Sequence, residues 1–126
     1  MKENVFQASL IRTIKNLLPG CIVLKLDPNY IQGIPDLLVL YGITWVALET
    51  KRSQNASKRP NQEFYINKMN EMSFATFVYP ENVQQVLEDM VDHFDKINRG
   101  EFIHQDIIEK NVILQSVLNQ YDYRVA

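Results

Sequence analysis

Residues 33–51, Gly-Ile-Pro-Asp-Leu-Leu-Val-Leu-Tyr-Gly-Ile-Thr-Trp-Val-Ala-Leu-Glu-Thr-Lys, constrain this chain more than any other stretch. Two apolar runs, 37–41 and 44–48, are separated only by Gly42 and Ile43. Gly followed by any residue suits a two-residue type II′ hairpin, because the first central position needs φ > 0 and glycine adopts it without steric cost. Such a turn sets the register: Tyr41 faces Thr44, Val39 faces Val46, and Asp36 faces Glu49. The period of two puts Leu38, Leu40, Trp45 and Ala47 on the Asp36 side and Leu37, Val39, Val46 and Leu48 on the other. A strand pair apolar on both faces is central and covered by helices. Trp45 accordingly reads as core rather than as a stacking platform.

That register has a chemical consequence. Directly opposed residues hold their Cβ atoms about 4.5–5.5 Å apart, and like charges so placed destabilise a sheet. Opposed Asp36 and Glu49 become tolerable with a cation between them. Lys51 returns to the same face two residues after Glu49. The expected patch is two acids and one amine at the open end of a hairpin, a candidate metal site. A plainer reading makes Asp36 a turn residue and 49–51 a strand end reaching solvent. The conjunction of Pro-Asp, hairpin and Glu-x-Lys in register favours the site.

Pro35-Asp36 followed by Glu49-Thr50-Lys51 resembles the PD-(D/E)XK nuclease superfamily, which has the restriction-endonuclease-like fold. Gly33-Ile34-Pro35-Asp36-Leu37, Glu49-x-Lys51 and a following helix carrying Gln62 are similar to its VRR-NUC branch, to which small phage-encoded nucleases belong. The resemblance spans roughly residues 3–88. It implies a three-layer α/β/α core (αβββαβ) with a mixed central sheet in residues 1–96; the C-terminal helical extension expected at 97–126 lies outside the resemblance and either packs on the core or makes a dimer contact. It further implies metal-dependent hydrolysis of phosphodiester bonds in DNA. Asp36 and Glu49 would hold magnesium (or manganese), with the Thr50 main-chain carbonyl as a further oxygen ligand and Glu3, on the first helix, as an extra one. Lys51 would orient the attacking water and offset transition-state charge, and Gln62 would face the site. Within nucleases the rival is a Holliday-junction resolvase, for which a homodimer would present two sites. Outside them it is a non-catalytic DNA-binding module on the same fold.

The chain's 126 residues suit one domain, and 46% hydrophobic content suffices for a core. No apolar run approaches the roughly 20 residues needed to span a membrane, and the first residues lack a signal-peptide core. A single Cys21 excludes an internal disulfide and a cysteine zinc site. A cytoplasmic setting is expected, which for a phage-encoded protein is the bacterial host's. Net charge is −2, yet residues 1–68 hold nine Lys/Arg against five Asp/Glu, while 69–126 hold four against ten. The resulting balances of +4 and −6 place the basic excess with the candidate site, which is compatible with binding a phosphate backbone.

Residues 3–18 read as an amphipathic helix with Val5, Leu10, Ile14, Leu17 and Leu18 apolar, ended by Pro19-Gly20. Glu3 in its first turn also complements the helix dipole, and Gln7 lies one turn along the same face. Residues 21–26 form a short strand in which Cys21 is a small core residue and Lys25 reaches phosphate or simply water. The turn-rich loop 27–33 can place Tyr30 or Gln32 beside substrate. Residues 52–61 are polar and carry Arg52, Lys58 and Arg59 as candidate phosphate contacts. Pro60 opens a helix at its N1 position, with Phe64, Met69 and Met72 among its apolar residues. A strand at 74–79 and a helix at 83–94 follow, with Asn82 as N-cap and His93 structural. Residues 98–100 interrupt the pattern, and 107–118 form a last helix beyond His104.

Overall fold

The structure, a computed structural model, describes residues 2–100. The expected helix at 107–118, His104 and the extension after Gly100 lie outside the described residues. In chain order the elements are α1 (Glu3–Leu17), β1 (Ile22–Lys25), β2 (Leu37–Tyr41), β3 (Thr44–Thr50), α2 (Pro60–Met72), β4 (Phe74–Val78) and α3 (Val83–Asn98). No helix among the described residues is long and apolar enough to cross a membrane.

The sheet runs β1-β2-β3-β4, antiparallel through its first three strands, with β4 parallel to β3. A two-residue loop suffices for the antiparallel β2–β3 step, whereas the parallel β3–β4 step needs a crossover, which α2 supplies. Register follows the turn: Leu37 pairs with Leu48, Val39 with Val46, Tyr41 with Thr44. Gly42 has φ +64°, and no non-glycine residue among those described has positive φ. Ile43 therefore stays in ordinary space, which fits a type II′ turn and excludes I′.

Each sheet face meets a helix layer. Phe6, Leu10 and Ile14 of α1 and Val86, Met90 and Phe94 of α3 cover Leu37, Val39, Val46, Leu48 and Val78. On the other face Ile66 of α2 packs on Ala47 and Ala75, flanked by Leu38, Trp45, Met69 and Phe77. This is the expected α/β/α sandwich with a mixed central sheet, and Trp45 is part of its core.

Several local expectations need correction. The α1 stripe is Phe6-Leu10-Ile14, extended by Leu18 at the same i+4 spacing, while Val5 and Leu17 are exposed. One residue turns a helix by about 100°, so Val5 cannot share a row with Phe6. On α2, Phe64 and Met72 are exposed for the same reason, since Ile66 is the residue aimed at the sheet. Asn82 occupies the N-cap position of α3, but its side chain does not cap. Instead Oδ1 accepts the Tyr79 N–H at 2.8 Å and Nδ2 donates to the Phe77 carbonyl at 3.2 Å, pinning the turn after β4.

Helix α3 runs beyond residue 94 to Asn98, whose Oδ1 accepts the Ile43 N–H at 2.9 Å and whose Nδ2 donates to the Tyr41 carbonyl at 3.1 Å. The helix end thus clamps the hairpin turn. Burial holds the His93 imidazole below its ordinary pKa, and its Nε2 lies 3.0 Å from Ser73 Oγ, in keeping with a structural role. Strand β1 is shorter than expected, although the Leu26 N–H still donates to the Asp36 carbonyl at 2.8 Å. That bond fixes Asp36 immediately before β2.

Candidate active site

The hairpin register carries one step past its last pair and sets Asp36 against Glu49. Pro35 is buried, the Leu26 bond anchors the Asp36 main chain, and the Asp36 charge lies close enough to act on the Glu49 carboxyl. Glu49 is only 3% exposed, and its Oε2 is buried without a hydrogen-bond partner. A buried carboxylate oxygen without a partner costs stability. Burial, foremost, and then the Asp36 charge push the Glu49 pKa up to about 9; Lys51 opposes this, and Glu3 adds the least to it.

Lys51, 9% exposed, donates from Nζ to Gln62 Oε1 at 2.8 Å. The same oxygen accepts the Arg59 N–H at 3.1 Å. Pro60 does open α2 at its first position, which places Gln62 at N3, where its side chain reaches back to the helix start. Gln62 is held from two sides and in turn holds the ammonium over the cleft.

Glu3, Asp36, Glu49, Lys51, Arg52, Arg59 and Gln62 line a single cleft of about 410 Å³. Thr50 is fully buried beneath it, and both its N–H and its hydroxyl donate to Asp36 Oδ2, at 2.9 and 2.6 Å. Gln32 lines an adjoining pocket that also reaches Asp36 and Glu49. Three expected DNA contacts do not line the cleft. Lys25 is exposed at the end of β1, Tyr30 is 85% exposed on its loop, and the Lys58 ammonium sits 4.8 Å from the centre of the Phe77 ring. The Phe77 ring supplies a cation–π partner that competes with any phosphate for Lys58.

Sequence reasoning missed Pro28 in the cleft wall and the use of the Thr50 hydroxyl. The second had a signal: Val46, Leu48 and Thr50 share one face, and a hydroxyl on a buried apolar row needs a partner. A second groove of about 530 Å³, between α1 and α3 on the opposite side of the sheet, is floored by Leu17, Val83, Leu87 and Val91 with Glu88 and Asp92 on its lining.

The loop before Asp36 is held to α2 by close contact at Gly33, where φ is +90° and an added Cβ would lie 2.8 Å from the Asn61 carbonyl carbon. Gly20 has the same φ with nothing within 4 Å. Both alanine variants carry the backbone strain, and Gly33→Ala adds a main-chain collision. Gly33→Ala is expected to melt below Gly20→Ala by an amount equivalent to roughly 1–3 kcal/mol. Thermal melts of the two variants side by side check this.

The donor set suits a hard divalent cation. Among the described residues no three acid, histidine or cysteine side chains form a ready-made cage. Asp36 and Glu49 supply two carboxylates, an arrangement magnesium accepts because it retains several waters. The partnerless Glu49 Oε2 is the oxygen that such an ion would satisfy.

No family model matches the sequence, and no curated protein matches it. Among solved structures, a chain described as a VRR_NUC domain is 25% identical with a TM-score of 0.57, over 68% of this chain and 94% of that one. Among the described residues, three helices around a four-stranded mixed sheet agree with a VRR-NUC-like, restriction-endonuclease-like fold.

Proposed function

We propose that this chain is a metal-dependent DNA endonuclease that hydrolyses phosphodiester bonds. One observation carries the reading: a buried Glu49 carboxyl with an unpartnered oxygen, set against Asp36 and overlooked by Lys51. The likeness to a VRR_NUC domain supports the same class of chemistry.

Asp36 and Glu49 would hold magnesium or manganese, with the Thr50 main-chain carbonyl and Glu3 as further oxygen donors. The chemistry such an ion would supply there is polarisation of the scissile phosphate and a lowered pKa for the attacking water. Lys51, kept at the cleft by Gln62, offers a fixed positive charge where negative charge develops on the phosphoryl oxygens. Because it is held before substrate arrives, little reorganisation is needed during reaction. Gln62 fixes the ammonium's position and so its distance to the reacting phosphate. Arg52 and Arg59 are exposed on the cleft lining, where they hold flanking phosphates without reading base sequence.

The test is a set of end-labelled DNAs (duplex, single strand, flap and four-way junction) incubated with magnesium, manganese or chelator. Cleavage with either metal and none with chelator is the expected result. Binding without turnover under every condition would replace the enzyme by a DNA-binding module. Selective cutting of the junction, with a dimer by light scattering, would make it a resolvase.

A further inference from the structure

Helix α1 reaches the candidate site through a second polar side chain besides Glu3. Gln7 Nε2 donates to Thr50 Oγ1 at 3.0 Å, and that hydroxyl lies 2.6 Å from Asp36 Oδ2. We propose that Gln7 is a positioning residue of the cleft, which aims the Asp36 carboxylate through the Thr50 hydroxyl. This rests on the reading of Asp36 and Glu49 as a cation site.

The direction of the chain follows from donor chemistry. An amide NH₂ can only donate, so the Thr50 oxygen accepts from Gln7 and sends its own proton to Asp36. The Thr50 main-chain N–H donates to the same Asp36 oxygen at 2.9 Å. Two donors converging on Oδ2 lock the carboxylate's rotation and leave Oδ1 as the oxygen for a cation. Were the Gln7 amide reversed, its carbonyl would compete for the hydroxyl proton, and Asp36 would face a lone pair.

The placement depends on the alternation of β3. Glu49 points to the α2 face and Thr50 to the α1 face, so one strand end serves the cleft directly and indirectly. Thr50 is fully buried, and its neighbours on the same face of β3, Val46 and Leu48, are apolar core residues. Packing alone therefore does not ask for a hydroxyl here. Aiming a carboxylate does, since outer partners of metal-holding groups set their orientation and basicity.

The experiment uses the full chain and reads magnesium binding rather than cleavage. Wild type, Gln7→Met, Thr50→Val and Thr50→Ser are titrated with magnesium, following the rise in melting temperature and the calorimetric Kd. Gln7→Met and Thr50→Val are expected to weaken magnesium binding by roughly 10–100-fold, while Thr50→Ser, which keeps the hydroxyl, holds the wild-type value. Metal-free melts and circular dichroism report the fold, and Gln7→Met, at a half-buried helix position, decides the matter should Thr50→Val not fold. Wild-type affinity in Gln7→Met overturns the assignment while leaving the cation site standing. No magnesium response in the wild type removes the cation site, and the role of Gln7 with it.

Discussion

Lys51→Ala and Asp36→Asn are each expected to remove magnesium-dependent DNA cleavage while the chain stays folded. Lys51 follows the last residue of β3 and contributes no apolar packing to either core cluster. Its removal leaves Gln62 Oε1 still bonded to the Arg59 N–H, so the start of α2 keeps its anchor. What is lost is a positive charge held at the cleft by Gln62, and losses of this kind lower turnover by roughly 10²–10³-fold. Asp36→Asn keeps the side chain's shape and an oxygen to accept the two Thr50 donors, but removes the charge that a cation requires. A gel assay on labelled DNA beside a circular dichroism melt checks both variants. Undiminished cleavage by both, in pure protein, would refute the assignment.

Glu49→Gln is expected to raise metal-free stability at neutral and alkaline pH and to abolish stabilisation by magnesium. Unfolded, Glu49 titrates near 4.5; folded, it is held at about 9, first by burial and then by the Asp36 charge. Between those values the unfolded chain sheds a proton that the folded one keeps, so raising the pH across this window favours unfolding. Below it both states hold the proton, and above it both have lost it. Glutamine has no such proton, so the stability gap between variant and wild type should widen from pH 4.5 towards 9. Each tenfold displacement of proton affinity is worth about 1.4 kcal/mol, so the effect is measurable even if the buried carboxyl is partly relaxed. In the wild type a cation replaces the proton, and magnesium stabilisation should grow across the same pH range. Melting temperatures of both proteins from pH 4.5 to 9, with and without magnesium, test this. Parallel pH profiles would show that Glu49 is not held protonated in the folded state.

The hairpin was legible because a single glycine at residue 42 fixes both turn type and register, and alternation then assigns every neighbouring side chain to a face. The candidate acids came with it, since Asp36 and Glu49 follow from extending the pairing by one step. Helix positions were legible as periods but not as phases. Val5 and Phe6 fit a repeat equally well, and only packing against Leu37 and Val39 selects Phe6. Contacts across long stretches were not legible at all. Nothing near Lys58 in sequence points to Phe77, and nothing near Asn98 points to Ile43, 55 residues away. Such pairs exist because the sheet brings distant segments together, and local pattern carries no record of it.

The two hydrogen bonds that tie Asn98 to Tyr41 and Ile43, on either side of Gly42, bear on the order of assembly. On a growing chain, strands β2 and β3 emerge early and can zip from their turn, but the tip has no tether until the last described helix has been made. Closing that long loop is an entropic cost met only when α3 docks on the sheet. The tip should therefore be among the last contacts to set during folding. Fraying of the far end of α3 would release it first, while the acids at the opposite end of the ladder stay in register.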